Sequence, residues 1–178
     1  GILRAGAVAV PTDAAMEAGP LANVLAASRA TAVVCAEKSR ARLGAATVPA
    51  LLAADLCAPK GETDLVAPQR PALGRDDVAS VIYTSGTTGT PKGVMLTHGN
   101  FTTLLGALAP VFPLHEGDRT LSVLPLHHTF EFTCGMLLPL SRGGATVYLD
   151  ELNGDRLTEA MREAKVTAMV GVPALWQL

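Results

Sequence analysis

From residue 120 onward the sequence alternates short β-branched runs with single helical segments, and this alternation restricts the fold more than any other feature. Residues 120–124 read as a strand, 129–140 as an apolar helix closed by Gly143-Gly144, and 145–149 as a strand. Residues 155–165 then read as an amphipathic helix, with Leu157, Ala160, Met161 and Ala164 at i, i+3, i+4 and i+7. A strand over 166–172 and a helix opening at Pro173 follow. Strands separated by one helix each pair in parallel through right-handed crossovers. The expected class is α/β, a mostly parallel sheet flanked by helices.

The first part of the chain gives a weaker version of the same pattern. Ala5-Gly6-Ala7-Val8-Ala9-Val10-Pro11 reads as a small-residue strand stopped by proline. Pro20 suits the first position of a helix with Leu21, Val24, Leu25 and Ser28 on one face, and 31–36 reads as a buried strand. From about residue 39 to residue 75, Pro49, Pro59, Pro68 and Pro71 interrupt any periodicity, and 60–64 reads as a solvated loop. The expected division is therefore a first α/β portion over 1–75, with an irregular linker from about 39, and a second over 76–178. The second portion opens with strands at 78–83 and 94–96. Asn100 is expected to cap a helix that runs to Leu108 and ends at Pro110.

Composition excludes several function classes. Hydrophobic residues make up 49% of the 178, yet the best apolar run, 104–114, contains Pro110 and Pro113. It falls well short of the ~20 residues a transmembrane helix needs, so no transmembrane segment is expected. Fourteen Lys and Arg against 16 acids, with no basic run, give no nucleic-acid footprint. Cys35, Cys57 and Cys134 are odd in number and widely spaced, which suits buried thiols in a reducing compartment and no metal site. The expected localisation is cytoplasmic, with peripheral membrane attachment left open. Gly1-Ile2-Leu3-Arg4 has no signal-peptide pattern, and both ends read as internal to a longer chain. Such a piece is expected to self-associate through exposed apolar surface.

The densest chemical signal is Tyr83-Thr84-Ser85-Gly86-Thr87-Thr88-Gly89-Thr90-Pro91-Lys92-Gly93-Val94. Hydroxyls and free backbone N–H groups donate to phosphate oxygens, glycines let the backbone approach, and lysine adds a mobile positive charge. A polyphosphate is the natural ligand. A Walker A loop requires Gly-Lys-Ser/Thr before a helix, but here Pro91 precedes Lys92, Gly93 follows it, and the next segment is strand-like. No G-x-G-x-x-G occurs either.

This string resembles the signature of the adenylate-forming enzymes, the superfamily of acyl-CoA synthetases and their relatives. Other matches follow in the family's order. Ala5 to Pro11 is similar to its A-G-A-x-x-V-P strand, Leu96-Thr97-His98-Gly99-Asn100 to its L-[ST]-H-x-N segment, and Leu124-Pro125-Leu126-His127-His128-Thr129-Phe130 to its P-x-x-H segment. Val170 to Leu175 resembles its V-P-x-x-[FWL] strand end. The resemblance implies a segment of the large N-terminal domain of an acid–thiol ligase. In that chemistry a carboxylate attacks the α-phosphate of ATP and releases pyrophosphate. A thiol, coenzyme A or an acyl-carrier thiol, then displaces AMP. The implied cofactors are ATP, Mg²⁺ with ligands mostly outside this segment, and CoA as co-substrate.

By the same resemblance Thr84, Ser85, Gly86, Thr87, Thr88, Gly89 and Lys92 would hold the departing phosphates. His128 would border the acyl carboxylate and the thiol tunnel as the catalytic position, and Phe130 the acyl pocket. His127, Met136 and Leu137 are expected in structural roles, and His98 and His115 in loop-stabilising or surface ones. The family's later motifs, G-x-[TS]-E and Y-x-[TS]-G-D among them, and its C-terminal domain have no counterpart here, so the segment alone is expected to be inactive. His127-His128-Thr129-Phe130 stands where amino-acid-activating relatives carry F-D-x-S, and Glu131 is reminiscent of long-chain ligases. A fatty acid is the expected substrate. Two alternatives stay open: a noncatalytic acyl- or nucleotide-binding module, and a P-loop-type NTPase.

Overall fold

A computed structural model describes residues 1–44, 47–57, 71–84, 92–149, 151–173 and 175. Two compact units cover Gly1–Thr97 and His98–Leu178. In the first, α1 (Ala18–Ser28) precedes β1 (Val33–Cys35), α2 (Glu37–Arg40), β2 (Ala50–Leu52), α3 (Ala53–Cys57), β3 (Val78–Thr84) and β4 (Lys92–Thr97). Helix α1 buries Leu21 and Val24 and half-buries Leu25 and Ser28, the face its apolar spacing selects. Pro20 sits in its first turn, where a missing N–H costs nothing.

The structure departs from the sequence reading at two places in this unit. Residues 5–11 form no continuous strand. Ala9 alone bridges Ser80, donating to the Ala79 carbonyl and accepting from Val81 N–H, both at 2.9 Å. Alanine-rich segments lack the branched side chains that pack on a pleated surface. Within the stretch read as irregular, β2 pairs in parallel with β1, Val33 opposite Ala50. Pro49 lies just before β2 and supplies only its carbonyl, to Val33 N–H at 2.9 Å, so its missing donor is harmless. The strands read at 78–83 and 94–96 are β3 and β4, which pair antiparallel, Val81 opposite Met95 and Thr84 opposite Lys92.

The second unit is the α/β layer expected from the alternation. It runs α4 (His98–Leu108), β5 (Arg119–Ser122), α5 (Thr129–Glu131), a π-helical segment (Phe132–Leu137), α6 (Leu138–Ser141), β6 (Ala145–Tyr148), α7 (Gly154–Glu163) and β7 (Ala168–Met169). Helix α4 starts two residues before Asn100, which therefore lies in its first turn rather than at its cap. The three strands are parallel in the order β6-β5-β7, with Leu121 opposite both Val147 and Met169. Thr120, Leu121 and Ser122 are all buried. Successive strand residues face opposite sides, so β5 is covered on both faces. Leu121 and Leu138 anchor this core, and the Phe101 and Phe132 rings meet at 5.5 Å and 51°, a tilted pair worth about 0.5–1.5 kcal/mol beyond area burial. Asn153 caps α7 by accepting Arg156 N–H at 2.9 Å, worth about 1 kcal/mol. No helix among the described residues is long and apolar enough to cross a membrane.

A polar knot closes the amino edge of the sheet. Asp118 Oδ1 accepts from Thr167 Oγ1 at 2.7 Å and Oδ2 from His115 N–H at 2.8 Å. Thr167 Oγ1 in turn accepts Arg119 N–H at 3.0 Å. The Thr167 bond, followed by the His115 N–H, holds the Asp118 carboxyl below the usual carboxylate range. The folded state therefore favours the ionised form. Its contribution is present above the ordinary value near 3.8 and is lost as pH falls through the lowered one. Asp118→Asn is expected to melt below wild type at pH 7, with the gap closing as pH drops below 4. A gap that stays constant into acid would contradict this assignment.

Candidate functional site

The predicted phosphate loop joins two strands, as the sequence suggested. Thr84 ends β3 and Lys92 opens β4; they face each other in register, both exposed. Ser85, Gly86, Thr87, Thr88 and Gly89 lie outside the described residues. Close approach dictates Gly93, since a Cβ there would lie 2.8 Å from Val81 Cγ1 and 3.1 Å from Tyr83 Cζ. The Tyr83 ring thus lies over a backbone with no side chain, beside the mouth of the hairpin. The chain continues from the loop into strand β4 at Lys92. Any anion held there would rely on hydroxyls, loop N–H groups and Lys92.

The second group lies beyond the carboxyl end of β5, the edge of a parallel sheet where ligands bind by preference. Residues 123–128 lead from β5 to α5. His128 N–H donates to the Pro125 carbonyl and the His128 carbonyl accepts Phe132 N–H, each at 3.0 Å. The His127 and His128 rings contact at 4.3 Å and 42°. His128 is exposed and His127 half-buried, while Phe130 is 51% exposed. Met136 and Leu137 are half-buried in the π-helical segment. His98 opens α4, and His115 Nδ1 lies 3.4 Å from Asp118. A cavity of about 190 Å³ opens at this edge, lined by Ser122, Leu126, Tyr148 and Leu152 among others. Neither His128 nor Phe130 lines it. Thr84 and Lys92 belong to the first unit, His128 and Phe130 to the second.

Sequence reasoning missed the polar centre beneath this segment. Glu131 is fully buried, and its Oε1 accepts a hydrogen bond from Ser122 Oγ at 2.5 Å. A Cβ on Gly135 would collide with the Glu131 carboxyl, so the carboxyl occupies the space that glycine leaves. Glu131 Oε2 and Thr133 Oγ1 are buried without a hydrogen-bond partner among the described residues. The available signal was one acid inside an apolar helix, four residues before a glycine. Burial, and secondarily the Glu131 charge, push the Cys134 thiol above the usual range. Burial likewise raises the Tyr148 phenol, opposed by a bond from Thr146, with Glu131 adding a smaller upward push. Among the described residues no three His, Cys, Asp or Glu side chains group to hold a metal ion.

This parallel unit, with a β3–β4 hairpin preceding it in the chain, has the fold of acyl-CoA synthetase-like N-terminal domains. The model of the AMP-binding enzyme family matches residues 1–178, and the chain belongs to that family. It is 34% identical over 177 residues to a feruloyl-CoA synthase of Amycolatopsis sp, covering 98% of this chain and 35% of that protein. Over 102 residues it is 41% identical to the long-chain-fatty-acid–CoA ligase ACSBG2 of Homo sapiens, covering 56% of this chain and 15% of that one. The crystal structure of ATP-bound MatB from Rhodopseudomonas palustris superposes with a TM-score of 0.80 at 25% identity, over 99% of this chain and 36% of that one. The chain spans about a third of the length, 35%, of the feruloyl-CoA synthase.

The thiolate is the reactive form of cysteine, and Cys57 is exposed whereas Cys134 is half-buried. At pH 8, iodoacetamide is expected to label Cys57 well before Cys134. Glu131→Gln should speed labelling of Cys134 by removing the nearby charge. Mass spectrometry that finds Cys134 labelled first would refute this electrostatic picture.

Proposed function

We propose that this chain is the phosphate-holding and acyl-holding part of an ATP-dependent, AMP-forming acyl-CoA synthetase. A carboxylate oxygen attacks the α-phosphorus of ATP, giving an acyl-adenylate and pyrophosphate. The acceptor thiol, coenzyme A or a carrier thiol, then attacks the acyl carbonyl and AMP leaves. Adenylation is needed because a carboxylate has no leaving group worth the name until its oxygen carries AMP. Oriented donors favour the first step by stabilising charge on departing pyrophosphate. Thr84, Ser85, Thr87, Thr88 and Lys92 are assigned that task, with Gly86 and Gly89 admitting the phosphates.

The observation that carries the proposal is the hairpin: a Ser/Thr/Gly connection closed by Thr84 opposite Lys92, in a chain of the AMP-binding family. Mg²⁺ would add positive charge to the phosphates, but the described residues offer no cluster for it, and no ligand is assigned to them. His128 and Phe130 are assigned to the acyl carboxylate and acyl chain, supported by their place beyond β5. A fatty acid is the proposed substrate, supported by the local likeness to a long-chain-fatty-acid–CoA ligase. An aromatic acid is the second reading, favoured by the feruloyl-CoA synthase that matches 98% of the chain. A cytoplasmic location is proposed, one in which ATP and CoA are both at hand.

In the full-length enzyme, Thr88→Ala and Lys92→Ala should each slow adenylation by roughly tenfold to a hundredfold, the factor for a charge-assisted hydrogen bond. Thioester formation from preformed acyl-adenylate should change far less. His128→Ala should slow adenylation ~100-fold, the cost of misplacing reacting atoms by about an ångström, with ATP affinity nearly intact. His127→Ala should act through melting temperature. Pyrophosphate release over a panel of fatty and aromatic acids then ranks the two substrate readings. Equal damage to both half-reactions by the loop variants would reduce the loop to a structural turn. Residues 1–178 alone should release no pyrophosphate, and sustained turnover by them would overturn that part of the proposal.

A further inference from the structure

Residues 123–130 carry both histidines, and a single buried hydrogen bond joins the residues on either side of them. Ser122, the last residue of β5, donates through Oγ to Oε1 of Glu131, the last residue of α5. Both partners are buried, at 5% and 0% exposure. Within the segment, His128 is held through its own backbone, its N–H on Pro125 and its carbonyl on Phe132. The His128 side chain makes no cap hydrogen bond to the helix that begins after it, so its setting depends on these backbone bonds and on what fastens the ends of the turn. The carboxyl in turn is seated against Gly135, where any Cβ would displace it.

We propose that Ser122 and Glu131 are positioning residues: a buried clasp that holds residues 123–130 so that His128 stays aimed for adenylation. This rests on the site role given to His128 above. Packing alone is a poor account of the pair. Burying a carboxyl costs several kcal/mol before any partner is found, and apolar side chains of similar volume stabilise a core as well or better. Here one carboxyl oxygen has no partner among the described residues, so the arrangement is not the one that maximises stability. It does fix the two ends of the histidine-bearing segment. A π-helical stretch beginning at the next residue, Phe132, fits the same reading, since such stretches gather at functional sites.

Three variants of the full-length protein test the clasp. Ser122→Ala removes the donor, Gly135→Ala pushes the carboxyl aside, and Glu131→Gln keeps an acceptor of the same shape. Hydrogen exchange at the His128 and Phe132 amides should quicken about tenfold in the first two. The Ala145 and Thr167 amides, at the opposite end of β5, should keep wild-type rates, and Glu131→Gln should stay near wild type throughout. In parallel, Ser122→Ala should lower kcat for adenylation about tenfold with KM for ATP unchanged, and Glu131→Gln should keep the wild-type kcat. Should Gly135→Ala fail to fold, Ser122→Ala decides alone, as it deletes a single oxygen. Exchange that quickens equally at all four amides, or at none, overturns the clasp. So does full-rate adenylation by Ser122→Ala when His128→Ala is impaired. Full-rate adenylation by His128→Ala instead sinks the site reading on which the clasp's catalytic role rests.

Discussion

The burial of β5 on both faces is the constraint on which the second unit depends. A central strand with water on neither side can end only where its neighbours satisfy it, and here both ends are closed by side chains. At the amino edge Asp118 and Thr167 tie the incoming chain to the approach to β7. At the carboxyl edge Ser122 meets Glu131. Between them Leu121 packs with no exposure at all. Deleting a leucine in such a position typically costs about 2–5 kcal/mol. Every functional residue assigned to this unit hangs from the carboxyl end of that strand.

The element proposed to bind phosphate is built on a different principle. In nucleotide folds whose loop opens a helix, backbone N–H groups and the helix dipole supply a fixed positive end. Here the connection runs from β3 into β4, and its ends are paired across an antiparallel ladder. What the hairpin can offer an anion is hydroxyls, loop amides and one lysine. Of these, Lys92 sits at the first residue of β4, and departing pyrophosphate is the ligand proposed for them.

Much of this architecture is legible in the sequence because it rests on periodicity. The buried face of α1 and the span of α7 follow from the spacing of apolar residues, and the parallel pairing around β5 follows from the alternation of strands with single helices. The strand-to-strand character of the loop is legible too, from the apolar run Val94-Met95-Leu96 that follows it. What is not legible depends on pairing across distance. Nothing local marks Ala9 as the one residue of its run to meet β3, or Pro49 as the residue that leads into β2. Glu131 is the instructive case. In the sequence it is one acid inside an apolar helix, noted only for its likeness to long-chain ligases. Its burial is decided by Ser122, nine residues earlier, and by the space that Gly135 leaves four residues later.

The account stands or falls on a carboxylate attacking the α-phosphorus of ATP. Oxygen labelling reads that step directly. The full-length enzyme is supplied with ATP, a thiol acceptor and a carboxylic acid carrying ¹⁸O in both carboxyl oxygens, and the nucleotide product is weighed by mass spectrometry. The account predicts AMP bearing one ¹⁸O, because the carboxyl oxygen that attacked phosphorus leaves with it. Unlabelled AMP, or ADP with the label in inorganic phosphate, would contradict it.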